Sequence, residues 1–217
     1  MMWNERLKTI DDGQSERFWE GHYREQERTW SGNANAVLVD YAESLIPGTA
    51  LDLGCAEGAD AIWLAGLGWR VTAVDVSETA LVRAAAQADA VGVGDRIDFQ
   101  RHDLAQTFPD GRFDLVSAQY LQSPVEFPRD QVLRRAATAV APGGLLLIVT
   151  HASVAPWSWN QDPHPLFPTP EEALASLELT SGQWRTEFLG APERQSSGPN
   201  GQTATVTDTV IAITHLM

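Results

Sequence analysis

Residues 49–60, Thr-Ala-Leu-Asp-Leu-Gly-Cys-Ala-Glu-Gly-Ala-Asp, decide how the rest of the chain is read. Thr49 to Leu53 is a short apolar run beginning just after Pro47-Gly48, the profile of a strand buried on both faces. Gly54 and Gly58 bracket a tight turn, where the backbone must take unusual angles and approach a ligand with no Cβ in the way. Ala61, Ile62, Leu64, Ala65 and Leu67 then recur at helical spacing, with Asp60 in the first turn, where the helix dipole favours an acid. Strand, glycine turn and helix in that order make a nucleotide-binding corner.

The residues of the turn narrow the choice of nucleotide. A dinucleotide or Walker loop presents backbone N–H groups to phosphate. Here the middle glycine of a G-x-G-x-x-G pattern is replaced by Ala56, and no Lys-Ser/Thr closes a P-loop. The turn begins with one acid, Asp52, and carries another, Glu57. Carboxylates repel a pyrophosphate and suit an ammonium or a sulfonium, so the expected ligand is cationic and phosphate-free. S-adenosylmethionine fits. Roughly 20 residues on, where a second strand ends in such folds, Trp69 to Asp75 is another buried-strand profile closing on an acid. Asp75 is placed to accept both ribose hydroxyls through charge-assisted hydrogen bonds. Ser77 supplies the N-cap of an Ala-rich helix running from Thr79 to Ala90.

A length of 217 residues, 43% hydrophobic and 20% charged, fits a single well-buried domain over 1–217. A formal charge of −14 argues against an electrostatic grip on nucleic acid or an anionic membrane. The single cysteine, Cys55, excludes an intrachain disulfide and reads as a small buried filler in the turn. No stretch reaches the length of a membrane span and the N-terminus is charged, so a cytoplasmic protein is expected. No metal site is read; His102 lacks ligand neighbours.

Along the chain, Gln14 to Glu27 predicts a helix with Phe18, Trp19 and Tyr23 on one face, and Asn33 or Asn35 caps a second helix reaching about Leu45. Residues 1–46 are expected to form a helical lid, with Trp30 folded against a sulfonium by its ring face. Arg96 to Arg101 reads as a third strand leading to Asp103, beside the adenine end. Phe113 to Ala118 is a fourth strand, delivering Gln119, Tyr120 and Gln122 to a strand end, where open α/β sheets bind ligands. Pro128 to Val140 predicts a helix stopped by Ala141-Pro142-Gly143-Gly144, and Leu145 to Val149 a strand ending at His151. The proline- and tryptophan-rich segment 151–170 is expected to cover the site. Thr169 caps a further helix with Pro170 in its first position. Trp184 to Leu189 and Ala204 to His215 both alternate and form a closing hairpin.

The turn signature Asp52-Leu53-Gly54-Cys55-x-x-Gly58, Asp75, Asp103, Phe113-Asp114-Leu115 and Pro142-Gly143-Gly144 occur in one order. Together they resemble the class I S-adenosylmethionine-dependent methyltransferases, and within them the tellurite-resistance branch, whose likeness extends from Trp30 to the final hairpin. The resemblance implies an α/β Rossmann-like three-layer sandwich with a seven-stranded, mostly parallel sheet, the last strand antiparallel. It implies Gly54, Cys55, Ala56 and Gly58 along the methionine moiety and Asp52 near its amino group. Asp75 would hold the ribose, Val76 would pack on adenine, Asp103 and Leu104 would meet its edge, and the Gln119 backbone would meet the amino acid end. Ala56 stands where the turn usually has a glycine, a substitution small enough for binding to survive. Where that branch carries a His-Arg pair and a later Arg, this chain reads Glu193-Arg194 and Gln202, leaving one cation for an oxyanion.

The expected reaction is methyl transfer from S-adenosylmethionine, yielding S-adenosylhomocysteine, to a small-molecule acceptor such as a thiol or chalcogen. A soft nucleophile needs little help from a base, while a hydroxyl needs one. His151 and Glu126 are the nearest candidate bases, and no catalytic residue is assigned. Tyr120, His151, Trp157, Trp159 and Arg194 are the expected substrate wall. The alternatives are an adenosyl-binding module without turnover and an NAD-dependent oxidoreductase, which should carry the three-glycine fingerprint and does not.

Overall fold

In the computed structural model, which describes residues 13–26, 32–158, 166–198 and 201–217, the quoted run opens with an interior strand of the sheet. That strand, β1 (Thr49–Leu53), pairs in parallel with β2 (Arg70–Asp75) on one side and β4 (Phe113–Gln119) on the other. The full order is β3-β2-β1-β4-β5-β8-β6, with β3 at Ile97–Arg101, β5 at Val140–His151, β6 at Trp184–Gly190 and β8 at Thr203–His215. β1 to β5 are mutually parallel, and β8 runs antiparallel to both β5 and β6.

The sheet divides two cores, which is why β1, β2, β4 and the second half of β5 read as continuous apolar runs rather than alternating ones. Ala50, Val71, Ala73, Leu145, Leu147 and Val149 face α2 (Ala36–Ala42), α3 (Ala59–Gly66) and α4 (Glu78–Ala90). Leu51, Leu53, Val74, Leu146 and Ile148 face α5 (Arg129–Thr138) and α6 (Pro170–Ala175). A Rossmann-like three-layer sandwich results. Local signals place the helix starts: the Ser77 hydroxyl accepts from the Ala80 N–H, and Thr169 with Glu172 closes a capping box behind Pro170.

The structure departs from the expected sheet by one strand. β7 (Glu193–Ser197) pairs with the first half of β8, while β6 takes the second half, so the sheet has eight strands rather than seven. The break falls at Ala191-Pro192, since proline cannot donate to a ladder; the Pro192 carbonyl still accepts from the Asp208 N–H at 3.1 Å. Pro142-Gly143-Gly144 is likewise not a separate stop. It lies inside β5 as an irregularity, with the register to β4 shifting between Phe113 and Leu115. Gly144 is required there because a Cβ would sit 2.9 Å from the carbonyl oxygens of Ala141 and Phe113.

The first described helix, α1 (Gln14–Glu25), docks on the start of α4 through Glu20. Its carboxylate accepts from the Ser77 hydroxyl at 2.6 Å, the Thr79 hydroxyl at 2.7 Å and the Thr79 N–H at 3.1 Å. Burial raises the Glu20 pKa, but those hydrogen bonds and Arg24 outweigh it and hold the group at about 2. A depressed carboxylate stabilises docking above its ordinary value of 4.5 and loses that contribution as pH falls toward about 2. Glu20→Ala should therefore speed amide exchange of α1 by about tenfold, one charged hydrogen bond's worth, while exchange in β1 and β4 stays unchanged.

Candidate active site

The corner after β1 is held by its own backbone. The Gly54 and Cys55 N–H groups both donate to the Val74 carbonyl at 2.9 Å, clamping the turn to the end of β2. Gly54 (φ 73°) and Gly58 (φ 80°) lie in the left-handed region, and Ala56 (φ 52°) joins them without a glycine's freedom. Space is as limiting as angle. A Cβ on Gly54 would come 2.8 Å from Leu121 Cδ1, and one on Gly58 equally close to the Ala84 methyl.

Three buried acids converge on this corner. Asp52, Asp60 and Asp75 are 2%, 6% and 8% exposed. Asp75 accepts from the Ala56 N–H at 3.0 Å and the Ser77 N–H at 2.9 Å, so it ties the turn to the α4 cap. Asp60 accepts from the Asn35 backbone at 2.7 Å and its side chain at 2.8 Å. Asn35 thus occupies the N-cap position of α2 yet spends its amide on Asp60 and makes no side-chain cap, and α2 ends at Ala42 rather than near Leu45. One oxygen of Asp52, Oδ2, is buried with no hydrogen-bond partner among the described residues. Burial, then the charges of Asp60 and Asp75, push the Asp52 carboxyl well up. Burial also raises Asp75, against the N–H groups that support its charge.

Acids raised in this way favour the folded state when protonated, and that contribution is lost as pH rises through their folded values. A cation seated among them reverses the balance. The donor set therefore fits an ammonium and a sulfonium and resists phosphate, in line with the charge reading of the sequence. One acid in that reading is replaced by another. Glu57 pairs with Arg83 at 3.1 Å, whereas Asp60, in the first turn of α3, joins the cluster. Cys55 lies beneath it, 6% exposed, with burial and the charges of Asp52 and Asp75 pushing its thiol well up.

Just past the end of β2, Val76 is half-buried and its carbonyl accepts from Arg101 Nε at 3.2 Å. Arg101 also pairs with Glu16 of α1. Asp103 is half-buried and accepts from the Ala105 N–H at 3.1 Å. Leu104 sends its side chain into the α5-side core. His102 bonds Thr107 and Gln100.

The ends of β4 and β5 gather the remaining residues. Gln119 is buried, its amide donating to the Ser117 hydroxyl at 3.0 Å. Tyr120 has φ 53°, a left-handed backbone unusual for a bulky residue and a mark of functional sites. Its ring stacks on His151 with centroids 4.4 Å apart, and its hydroxyl donates to Asp208 at 2.7 Å. Arg194 Nε donates to the same Asp208 oxygen at 2.5 Å. The cation expected to be available for an oxyanion is thus already paired. Trp157 packs against Gly198 in the β7–β8 hairpin, and Ser153 bonds both the N–H and the carbonyl of Thr207, so the described start of the 151–170 segment lies on that hairpin. Glu126 is exposed. Trp30 and Trp159 lie outside the described residues, as does the middle of the expected cover. The sequence reading missed Asp208, whose only local signal is an acid within an otherwise Thr- and Val-rich strand.

Such a corner, on a sheet of this order, defines an α/β Rossmann-like protein with an acidic crevice at the tip of β1. Residues 50–144 match a family model described as a methyltransferase domain. A probable tocopherol O-methyltransferase of Oryza sativa subsp. japonica is 34% identical over 57% of this chain and 34% of its own length. A structure solved in work on conversion of a disulfide bond into a thioacetal group during echinomycin biosynthesis superposes with TM-score 0.71. The identity is 25%, over 92% of this chain and 91% of that one. TehB from Haemophilus influenzae shares the fold with TM-score 0.68 at 17% identity, over 91% of this chain and 67% of its own. The chain spans about a third to half the length of the curated relatives it matches. Over residues 50–144 the chain is thus similar to methyltransferase domains.

Proposed function

We propose that this protein transfers a methyl group from S-adenosylmethionine to a small-molecule acceptor. The observation that carries the reading is the orphaned, buried Asp52 oxygen beside Asp60 and Asp75, an acidic crevice that suits a cation at the tip of β1. Bound there, the donor supplies an electrophilic methyl on a positively charged sulfur. The chain's own part is orientation: Asp52 toward the amino group, Asp75 toward the ribose, the Gly54–Gly58 backbone along the methionine. Holding donor and acceptor in line contributes roughly 7–11 kcal/mol toward the barrier.

A sulfur or chalcogen acceptor is a second reading, favoured by the likeness to the structure from the disulfide-to-thioacetal work. Calorimetric titration separates the donor reading from its rivals. S-adenosylmethionine and S-adenosylhomocysteine should bind at micromolar levels and NADH should give no heat. Tight NADH binding with neither adenosyl ligand would end the proposal. Binding without label transfer to any thiol, hydroxyl or amine would leave a binding module.

A further inference from the structure

We propose that His151 is the general base of this site, positioned by Asp208, and that the acceptor is accordingly a small molecule with a weakly acidic hydroxyl, a phenol or an enol. The inference rests on the donor reading above and names the acceptor class for that same site.

The β5–β8 register sets His151 directly opposite Asp208, so a cross-strand pair fixes their approach. His151 Nδ1 lies 3.4 Å from Asp208 Oδ1, long for a hydrogen bond, as such contacts are before a ligand tightens the site. Asp208 is 1% exposed while the His151 side chain is 49% exposed. A buried carboxylate behind a half-exposed imidazole is the arrangement that orients a base. A nitrogen facing a carboxylate carries the proton, which leaves the Nε2 lone pair for a substrate.

Other contacts hold the ring. The Tyr120 face stacks on it, and the backbone N–H of His151 donates to Gln122 Oε1 at 3.0 Å, fixing the strand end that carries the ring. Tyr120 and Arg194 occupy the other Asp208 oxygen, keeping the carboxylate ionised despite its burial. These are the charged and titratable groups that β8, β7 and the β4 end bring to the pair. Leu121, next to Tyr120, lies against Gly54, so the β4 end that carries the Tyr120–His151 stack borders the glycine turn.

In the step itself, the acceptor hydroxyl gives its proton to Nε2 while an oxygen electron pair forms the new O–CH3 bond. The methyl–sulfur bond breaks with its pair retained by sulfur, which becomes a neutral thioether, and Asp208 stabilises the imidazolium until water takes the proton. A thiol or chalcogen anion would need no such base. A phenolic hydroxyl, with a pKa near 10, lies within reach of an imidazole; an aliphatic alcohol does not.

The test uses the full chain, S-adenosylmethionine labelled on the methyl, a series of substituted phenols, thiophenol and benzylamine. Phenols should be methylated, with kcat/KM rising to a plateau as a single group loses its proton. His151→Asn should lower phenol kcat by about 10²–10⁴-fold, remove that pH limb and recover in part with added imidazole, while S-adenosylhomocysteine affinity holds. Asp208→Asn should lower kcat more than it raises KM. In 15N spectra it should abolish the preference of His151 for the Nδ1-protonated tautomer. Phenol turnover by His151→Asn at the parental rate would overturn the proposal. So would methylation of thiophenol or benzylamine in place of any phenol, or turnover of nothing by a protein that binds S-adenosylhomocysteine. A chain that binds neither adenosyl ligand would instead overturn the donor reading.

Discussion

Asp75→Ala is expected to weaken S-adenosylhomocysteine binding by about 100-fold, the loss of two charge-assisted hydrogen bonds at about 1.5 kcal/mol each. The Asp75 carboxylate already receives the Ala56 and Ser77 N–H groups, so its orientation is set before any ligand arrives. Asp75→Asn keeps the shape and loses the charge, and should bind between wild type and Ala. Because burial and the Glu20 charge raise this carboxyl above its ordinary value of 3.8, protons compete with the ligand. Affinity should fall as pH drops toward the ordinary carboxylate range, more steeply for the cationic donor than for its neutral-sulfur product. Isothermal calorimetry across that range checks both statements. Affinity within threefold of wild type for Asp75→Ala would show that the ribose is held elsewhere.

Gly58→Val should cost stability as well as binding. The residue sits at φ 80°, where an L side chain is strained, and its Cβ would meet the Ala84 methyl of α4 at 2.8 Å. Left-handed strain of about 1–2 kcal/mol adds to overpacking of about 1–3 kcal/mol. The expected loss is thus about 2–5 kcal/mol by urea unfolding, with donor binding abolished in the remaining folded fraction. A second substitution separates the terms. Gly92 has a similar φ of 74° with nothing within 4 Å of its Cβ, so Gly92→Val should show the strain alone and leave ligand binding intact.

The sequence made the corner and the parallel sheet legible because their signals are local. β1 was readable as an apolar run before a glycine turn, Ser77 as a cap, and Thr169-Pro170 as a helix start. What escaped depends on partners distant in the chain. β7, Glu-Arg-Gln-Ser-Ser, carries no apolar alternation and becomes a strand only because β8 is long enough to offer a second edge. Glu57 and Asp60 are both acids near one turn; only the positions of Arg83 and Asn35 decide which remains in the crevice. Asp208 is one residue in an alternating strand until the register to β5 sets it against His151.

Cys55 supplies this protein with an internal clock. The chain's sole sulfhydryl is shut beneath the ligand corner and held in its unreactive protonated form. Alkylation must therefore wait for the turn between Gly54 and Gly58 to open. The appearance of a single adduct by intact mass would time that opening, and a seated ligand should slow it.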